Sequence, residues 1–120
     1  MFFFSLNLIK KNLNNTNIII IFMRYLTIYT LLLDDNNYYV GLTSNLNMRL
    51  LEHFEGIFPS KWTKLHKPIK LMEVFVGDSK LENIITLKYM VKYGYKKVRG
   101  GSYTRIEINK LPLKLKDYIE

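Results

Sequence analysis

Cysteine is absent from the 120 residues, which excludes a disulfide framework and any zinc or iron–sulfur site held by thiolates. Acidic residues are scarce: ten Asp and Glu stand against eighteen Lys and Arg, a formal net charge of +8. A surplus of that size on a small domain favours a polyanionic partner, either nucleic acid or an anionic membrane surface. Long apolar runs are also missing. Phe2–Phe4 and Ile18–Phe22 are separated by Lys10, Lys11 and an Asn-rich stretch, and neither run approaches the roughly 18–20 apolar residues that cross a bilayer. With those lysines inside the segment and not ahead of a continuous apolar core, a secretory signal is not expected either. There is no linker-like stretch and no internal repeat.

What is present is enough for one folded unit. Hydrophobic residues make up 48% and aromatics 14% of the chain, the composition of a globular domain with one modest core. Residues 1–22 look unlike the rest and are expected to be an extension dispensable for chemistry, with Ile18–Phe22 able to add an edge strand. Met23 is an alternative start, and 23–120 reads as a single domain. An intracellular location, without secretion or a membrane partner, is the corresponding expectation.

From Tyr25 to Leu33 the chain is β-branched, aromatic or aliphatic, a strand signal. Asp34-Asp35-Asn36-Asn37 is a turn, and Tyr38 to Gly41 is the return strand of a hairpin. Ser44 or Asn45 caps a helix that ends near Gly56. In that helix Leu46, Leu50 and Phe54 recur every four residues with Leu51 beside them, predicting a core-facing stripe. Arg49 and His53 share a line at its border, leaning toward the hairpin. Phe58 to Pro68 reads as an irregular basic loop and Ile69 to Val76 as a third strand. A second helix starts at Asp78 or Ser79 and ends at Tyr93 before Gly94. One of its sides carries Leu81, Ile84, Ile85, Lys88 and Val91; another carries Glu82, Thr86, Tyr89 and Tyr93. After a basic, glycine-punctuated stretch from Lys96 to Arg105, a short strand and a final helix over Pro112–Ile119 close the chain. The fold class is α+β, with a small antiparallel sheet of about three strands flanked by helices.

One chemistry open to these residues is phosphodiester hydrolysis, although taken singly none of them decides for it. That reaction needs an oriented and activated water, relief of negative charge in the transition state, and commonly a divalent cation on a carboxylate. Tyr29 and Tyr39 offer phenol oxygens for the water, although a free tyrosine with pKa near 10 needs neighbouring cations or a metal to act as a base. Arg49 offers a permanent charge in a planar fork. His53 suits a phosphate oxygen or a tyrosine hydroxyl, and Glu82 is a hard oxygen ligand for Mg2+ or Mn2+. Each has a structural alternative, strongest for Glu82: Ser79-Lys80-Leu81-Glu82 fits the capping box, with Glu bonding back to the cap.

Order and spacing together resemble the GIY-YIG nuclease superfamily over roughly residues 25–104. Its members have a two-tyrosine hairpin, an arginine ten residues past the second tyrosine, often a histidine one turn later, and a metal-binding glutamate on a downstream helix. The matching positions are Tyr29, Tyr39, Gly41, Arg49, His53 and Glu82. Ser60–Lys64 with Pro68 is similar to small stand-alone members. Tyr89–Gly94 and Val98–Tyr103 are similar to proteins of large DNA viruses. Three positions depart from the pattern. Thr27 replaces the leading glycine of the first motif, Leu42 stands where some relatives have lysine, and Thr86 stands where many members carry the glutamate, one turn beyond Glu82. The resemblance implies a metal-dependent endonuclease acting on DNA without a small-molecule cofactor, or else a catalytically impaired binding module on the same fold. Candidate nucleic-acid contacts are Lys61, Lys64 and Lys67 in the loop, Lys96, Lys97, Arg99 and Arg105 near the glycines, and Trp62 as a stacking platform.

Overall fold

The structure, a computed structural model, describes residues 2–5 and 25–119; the edge strand expected at Ile18–Phe22 and the alternative start at Met23 lie outside them. Its elements are β1 (Phe2–Ser5), β2 (Thr27–Leu33), β3 (Asn37–Thr43), α1 (Leu46–Glu55), α2 (Lys61–Leu65), β4 (Pro68–Val76), α3 (Ser79–Tyr93) and β5 (Val98–Gly100). The α+β class is as expected. The sheet is larger than expected, with five strands in the order β1-β4-β2-β3-β5. It is also mixed, because β5 runs parallel to β3 while the other pairs are antiparallel. The strand expected beyond Arg105 is not there. The edge strand is Val98–Gly100, inside the stretch read as a basic loop, and it is too short and glycine-ended to signal itself by periodicity.

β2 is the central strand, and both of its faces are covered. Ile28 joins Tyr38, Val40, Phe75, Leu81, Ile85, Met90 and Val98 on the α3 side. Tyr29, Leu31 and Leu33 join Leu46, Trp62 and Val74 on the α1 and α2 side. A strand buried on both faces carries buriable residues at every position, here mostly apolar with the buried Thr27 and Thr30, which is why TIYTLLL shows no alternation. The hairpin turn carries left-handed Asp35 and Asn36 (φ 59° and 56°), residue types that tolerate that region.

The helices depart from their expected phases in ways that shape the site. In α1, Asn45 caps Met48 N–H and Gly56 at φ 73° closes the end. Its inner line is Leu46, Leu50 and His53. Leu51 and Phe54, expected in the core, are 53% and 47% exposed. The inward residue at the end of the stripe is the polar His53, because it has a hydrogen-bond partner inside. The loop expected over Phe58–Pro68 contains α2, capped by the Ser60 hydroxyl on Thr63 N–H. In α3 the N-cap is Asp78, which accepts from Lys80 N–H and Leu81 N–H. Ser79 is therefore the first helical residue and Glu82 the fourth, so the expected capping box does not form. Thr86 and Tyr89 are buried together with Leu81, Ile85 and Met90, and Val91 is exposed, a rotation away from the expected faces. The closing segment is a 3-10 helix, Leu113–Tyr118, not an α-helix; it anchors itself through the buried Leu115.

Candidate active site

Tyr29 and Tyr39 point to the same face of the sheet because both occupy odd positions of paired strands, Tyr29 opposite Gly41 and Tyr39 opposite Leu31. Their ring centroids are 6.3 Å apart. His53 comes up from α1 between them, with its ring 5.5 Å from each. The Tyr29 hydroxyl and His53 Nε2 lie 2.8 Å apart in the interior. Burial, followed by the nearby charge of Arg49, pushes His53 down to a pKa of about 4, so the imidazole is neutral near pH 7. A neutral ring that accepts the Tyr29 proton at Nε2 carries its own hydrogen on Nδ1. That atom is buried with no partner among the described residues.

Tyr29 itself is held above the ordinary phenol range, by burial first and then by the field of Tyr39, and Arg49 works in the opposite direction through charge and a hydrogen bond. Tyr39 is raised by burial, with Arg49 opposing it and the Glu82 charge adding to it. Burial disfavours the charge on Arg49, but Glu52, Tyr29 and Tyr39 more than offset this. Its Nη1 donates to Glu52 Oε1 at 3.0 Å and to the Phe58 carbonyl at 2.9 Å. Glu82 belongs to the helix on the other face of the sheet, yet its charge reaches both tyrosines. It sits near the end of β5, where the Gly101 N–H favours its ionised form while burial, the larger effect, raises its pKa. Thr86, one turn on, is fully buried and donates to the Glu82 carbonyl at 2.7 Å, with its hydroxyl packed against Gly100. Glu82 is the acidic residue of α3.

Gly41 makes the arrangement possible. A Cβ on it would overlap the Tyr29 ring and hydroxyl. Gly41→Ala is therefore expected to lower stability by about 1–3 kcal/mol in urea denaturation, although alanine ordinarily gains over glycine through the unfolded chain. The penalty should shrink in a Tyr29→Ala background, where the clashing ring is gone. An additive double mutant would remove Tyr29 from the explanation.

Lys61, Lys64, Lys67, Lys97 and Arg105 are exposed, as phosphate contacts require. Arg99 and Trp62 are not. Arg99 is 2% exposed, and its donors are taken by the carbonyls of Arg105, Tyr95, Val98 and Ile106. Its guanidinium lies 4.3 Å from the Trp62 ring centre. Trp62 donates to the Tyr38 carbonyl at 3.0 Å and belongs to the core. These two expectations are corrected: the pair ties β5 and the following loop to α2, and a buried arginine is tolerated because main-chain carbonyls satisfy it. Both form the floor of a cavity of about 240 Å³ beside Tyr39, Ser60, Lys61 and Thr104. Sequence reasoning missed Ser60, which is both the α2 cap and a hydrogen-bond partner of Tyr39. It also missed Glu52 and the Gly101 N–H. Only Glu52, three residues after Arg49 on one helix face, had a local signal.

Comparison with known proteins agrees with this geometry. The family model described as the GIY-YIG catalytic domain matches residues 25–97, a span that contains all five clustered side chains. A "UPF0213 protein" of Syntrophus aciditrophicus (strain SB) is 34% identical over 65 residues, covering 54% of this chain and 74% of that protein. No solved structure matches the chain. With its two-tyrosine hairpin, Arg49 and His53 on α1, and Glu82 on α3, the chain belongs to the GIY-YIG family.

Proposed function

We propose that the protein is a metal-dependent endonuclease that hydrolyses phosphodiester bonds in DNA. The observation that carries this reading is the convergence of Tyr29, Tyr39, Arg49 and His53 with the charge of Glu82. The Tyr29 hydroxyl shares a hydrogen bond with Nε2 of neutral His53, so in the tautomer with Nε2 unprotonated Tyr29 takes a proton from the attacking water as it passes its own to that nitrogen. Arg49 keeps the phenol oxygen from rising further in pKa and presents a planar cation to the charge on the phosphoryl oxygens of the transition state. Tyr39 helps orient the water, and His53 holds Tyr29 in register.

Glu82 fits a hard cation. It is a half-buried carboxylate facing the cluster, and no group of three or more His, Cys, Asp or Glu suited to a metal occurs among the described residues. A lone protein carboxylate suits Mg2+, which retains waters and takes substrate phosphate oxygens in place of an all-protein cage; Mn2+ has the same oxygen preference. When bound, such a cation supplies Lewis acidity at the phosphate. Exposed Lys61, Lys64, Lys67, Lys97 and Arg105 are then the backbone contacts, and the reading is of shape and phosphate more than of sequence.

No helix among the described residues is long and apolar enough to cross a membrane. We further place the protein inside the cell, as a nuclease of the kind found in large DNA viruses, on the likeness of Tyr89–Gly94 and Val98–Tyr103. The test is nicking of supercoiled and branched DNA with Mg2+ or with EDTA. Cutting with Mg2+ that EDTA removes is expected. The same result is expected of a chain started at Met23, since β1 pairs at the sheet edge opposite β5. Binding without cutting under every condition would sink the endonuclease and leave the impaired binding module.

A further inference from the structure

Phe58 is a residue that packing does not explain. Its side chain is 76% exposed, so it contributes little to a core. Its backbone is left-handed at φ 50°, a region that bulky side chains avoid and that Asn or Gly occupies at little cost. Pro59 follows and restricts it further. A strained, exposed aromatic on a loop is a sign of use, because strain of this kind persists where the surroundings impose it. Here Arg49 imposes it, holding the Phe58 carbonyl at 2.9 Å with the same Nη1 that bonds Glu52, while its charge acts on Tyr29. The backbone of Phe58 is thus tied to the arginine of the cluster, and the exposed lysines Lys61, Lys64 and Lys67 follow it in the chain.

Resting on the endonuclease reading, we infer that Phe58 selects the substrate. Its ring stacks on an unpaired base beside the phosphate held by Arg49, so the preferred substrate is a nucleic acid with a base outside the duplex, at a bulge, branch or single-stranded end. Charge complementarity argues for this occupant: an exposed aromatic precedes three exposed lysines on a chain of net charge +8. An aromatic face combined with lysines is the arrangement that binds stacked bases along a phosphate backbone. Leu51, Phe54 and Ile57 are also exposed nearby, so a second copy of the chain is the competing occupant.

The test measures binding apart from cutting. In EDTA, the full chain is titrated into a duplex with a bulged 2-aminopurine and into the fully paired duplex of the same sequence, following fluorescence quenching and anisotropy. The wild type is expected to bind the bulged duplex more tightly and to quench the bulged base. Phe58→Asn, which tolerates positive φ but lacks the ring, should lower the ratio of the two affinities about tenfold. Phe58→Trp should keep it. Phe58→Asn should also be at least as stable as the wild type in urea, which a structural phenylalanine would not permit. An unchanged ratio in Phe58→Asn, no preference in the wild type, or a ratio that follows dissociation of a dimer in sedimentation would overturn the inference. Because EDTA suppresses cutting throughout, failure of the nicking assay leaves these outcomes readable.

Discussion

Glu82→Gln is expected to lower metal-dependent nicking by about 10³-fold or more while changing stability by no more than about 1 kcal/mol. The first figure follows from removing the carboxylate that would hold a cation worth several kcal/mol to the transition state. The second follows from where Glu82 sits on α3. It is the fourth helical residue, and the cap belongs to Asp78, so loss of its charge forfeits a favourable interaction with the positive end of the helix and weakens the bond from Gly101 N–H, partly offset by relief of the burial penalty on the carboxylate. Asp78→Ala supplies the contrast, because removing the cap should cost about 1 kcal/mol of stability and leave the carboxylate in place. If Glu82 were instead a structural residue, Glu82→Gln would lose stability and keep its cutting. Single-turnover nicking over a Mg2+ titration, with urea denaturation of both variants, decides between them. Wild-type cutting by Glu82→Gln would move the metal elsewhere.

The hairpin, both main helices and the third strand could be read from residue type alone, because each carries local information. β-branched runs, Asn and Asp at the turn, Asn45 and Asp78 at caps, and Gly56 and Gly94 at ends act within a few residues of themselves. What could not be read depends on partners far along the chain. Val98–Gly100 is a strand only because β3 offers it an edge. His53 turns inward in place of Phe54 because the Tyr29 hydroxyl, twenty-four residues earlier, satisfies it. Periodicity had only hydrophobicity with which to choose between the two. Arg99 looked like a nucleic-acid contact because it lies in a basic stretch beside glycines, and Trp62 because it stands among the lysines of a loop. The carbonyls of Arg105 and Ile106 bury that arginine, and no spacing rule encodes the curl of that loop. The proximity of Tyr29, Tyr39 and His53, with the charges of Arg49 and Glu82 acting on the tyrosines, was legible for a different reason: it follows the spacing that the family resemblance rests on, even with Thr27 and Thr86 off the pattern.

Arg49→Ala is expected to reduce the nicking rate by about 10³-fold, through loss of charge stabilisation in the transition state, and Arg49→Lys should recover little of it. A lysine restores the charge but not the fork, and here the fork serves Glu52 and Phe58 through Nη1 while also facing Tyr29, a geometry a single ammonium does not reproduce. The electrostatic role of Arg49 has its own readout. Arg49 lowers the pKa of both Tyr29 and His53. Its removal should therefore raise His53 from about 4 toward the ordinary 6.5, visible in the pH titration of the imidazole signals by NMR. The sign carries over to stability. A histidine whose folded pKa lies below its unfolded value leaves the unfolded chain binding more protons between them, so stability is full above about pH 6.5 and falls as pH drops toward 4, by roughly 3 kcal/mol at most. In Arg49→Ala that acid-side loss should become smaller even though activity is gone, a separation that general misfolding would not produce. If the His53 titration stayed at its wild-type position in Arg49→Ala, Arg49 would not be setting the charge balance of the cluster, and its place in the mechanism would have to be given up.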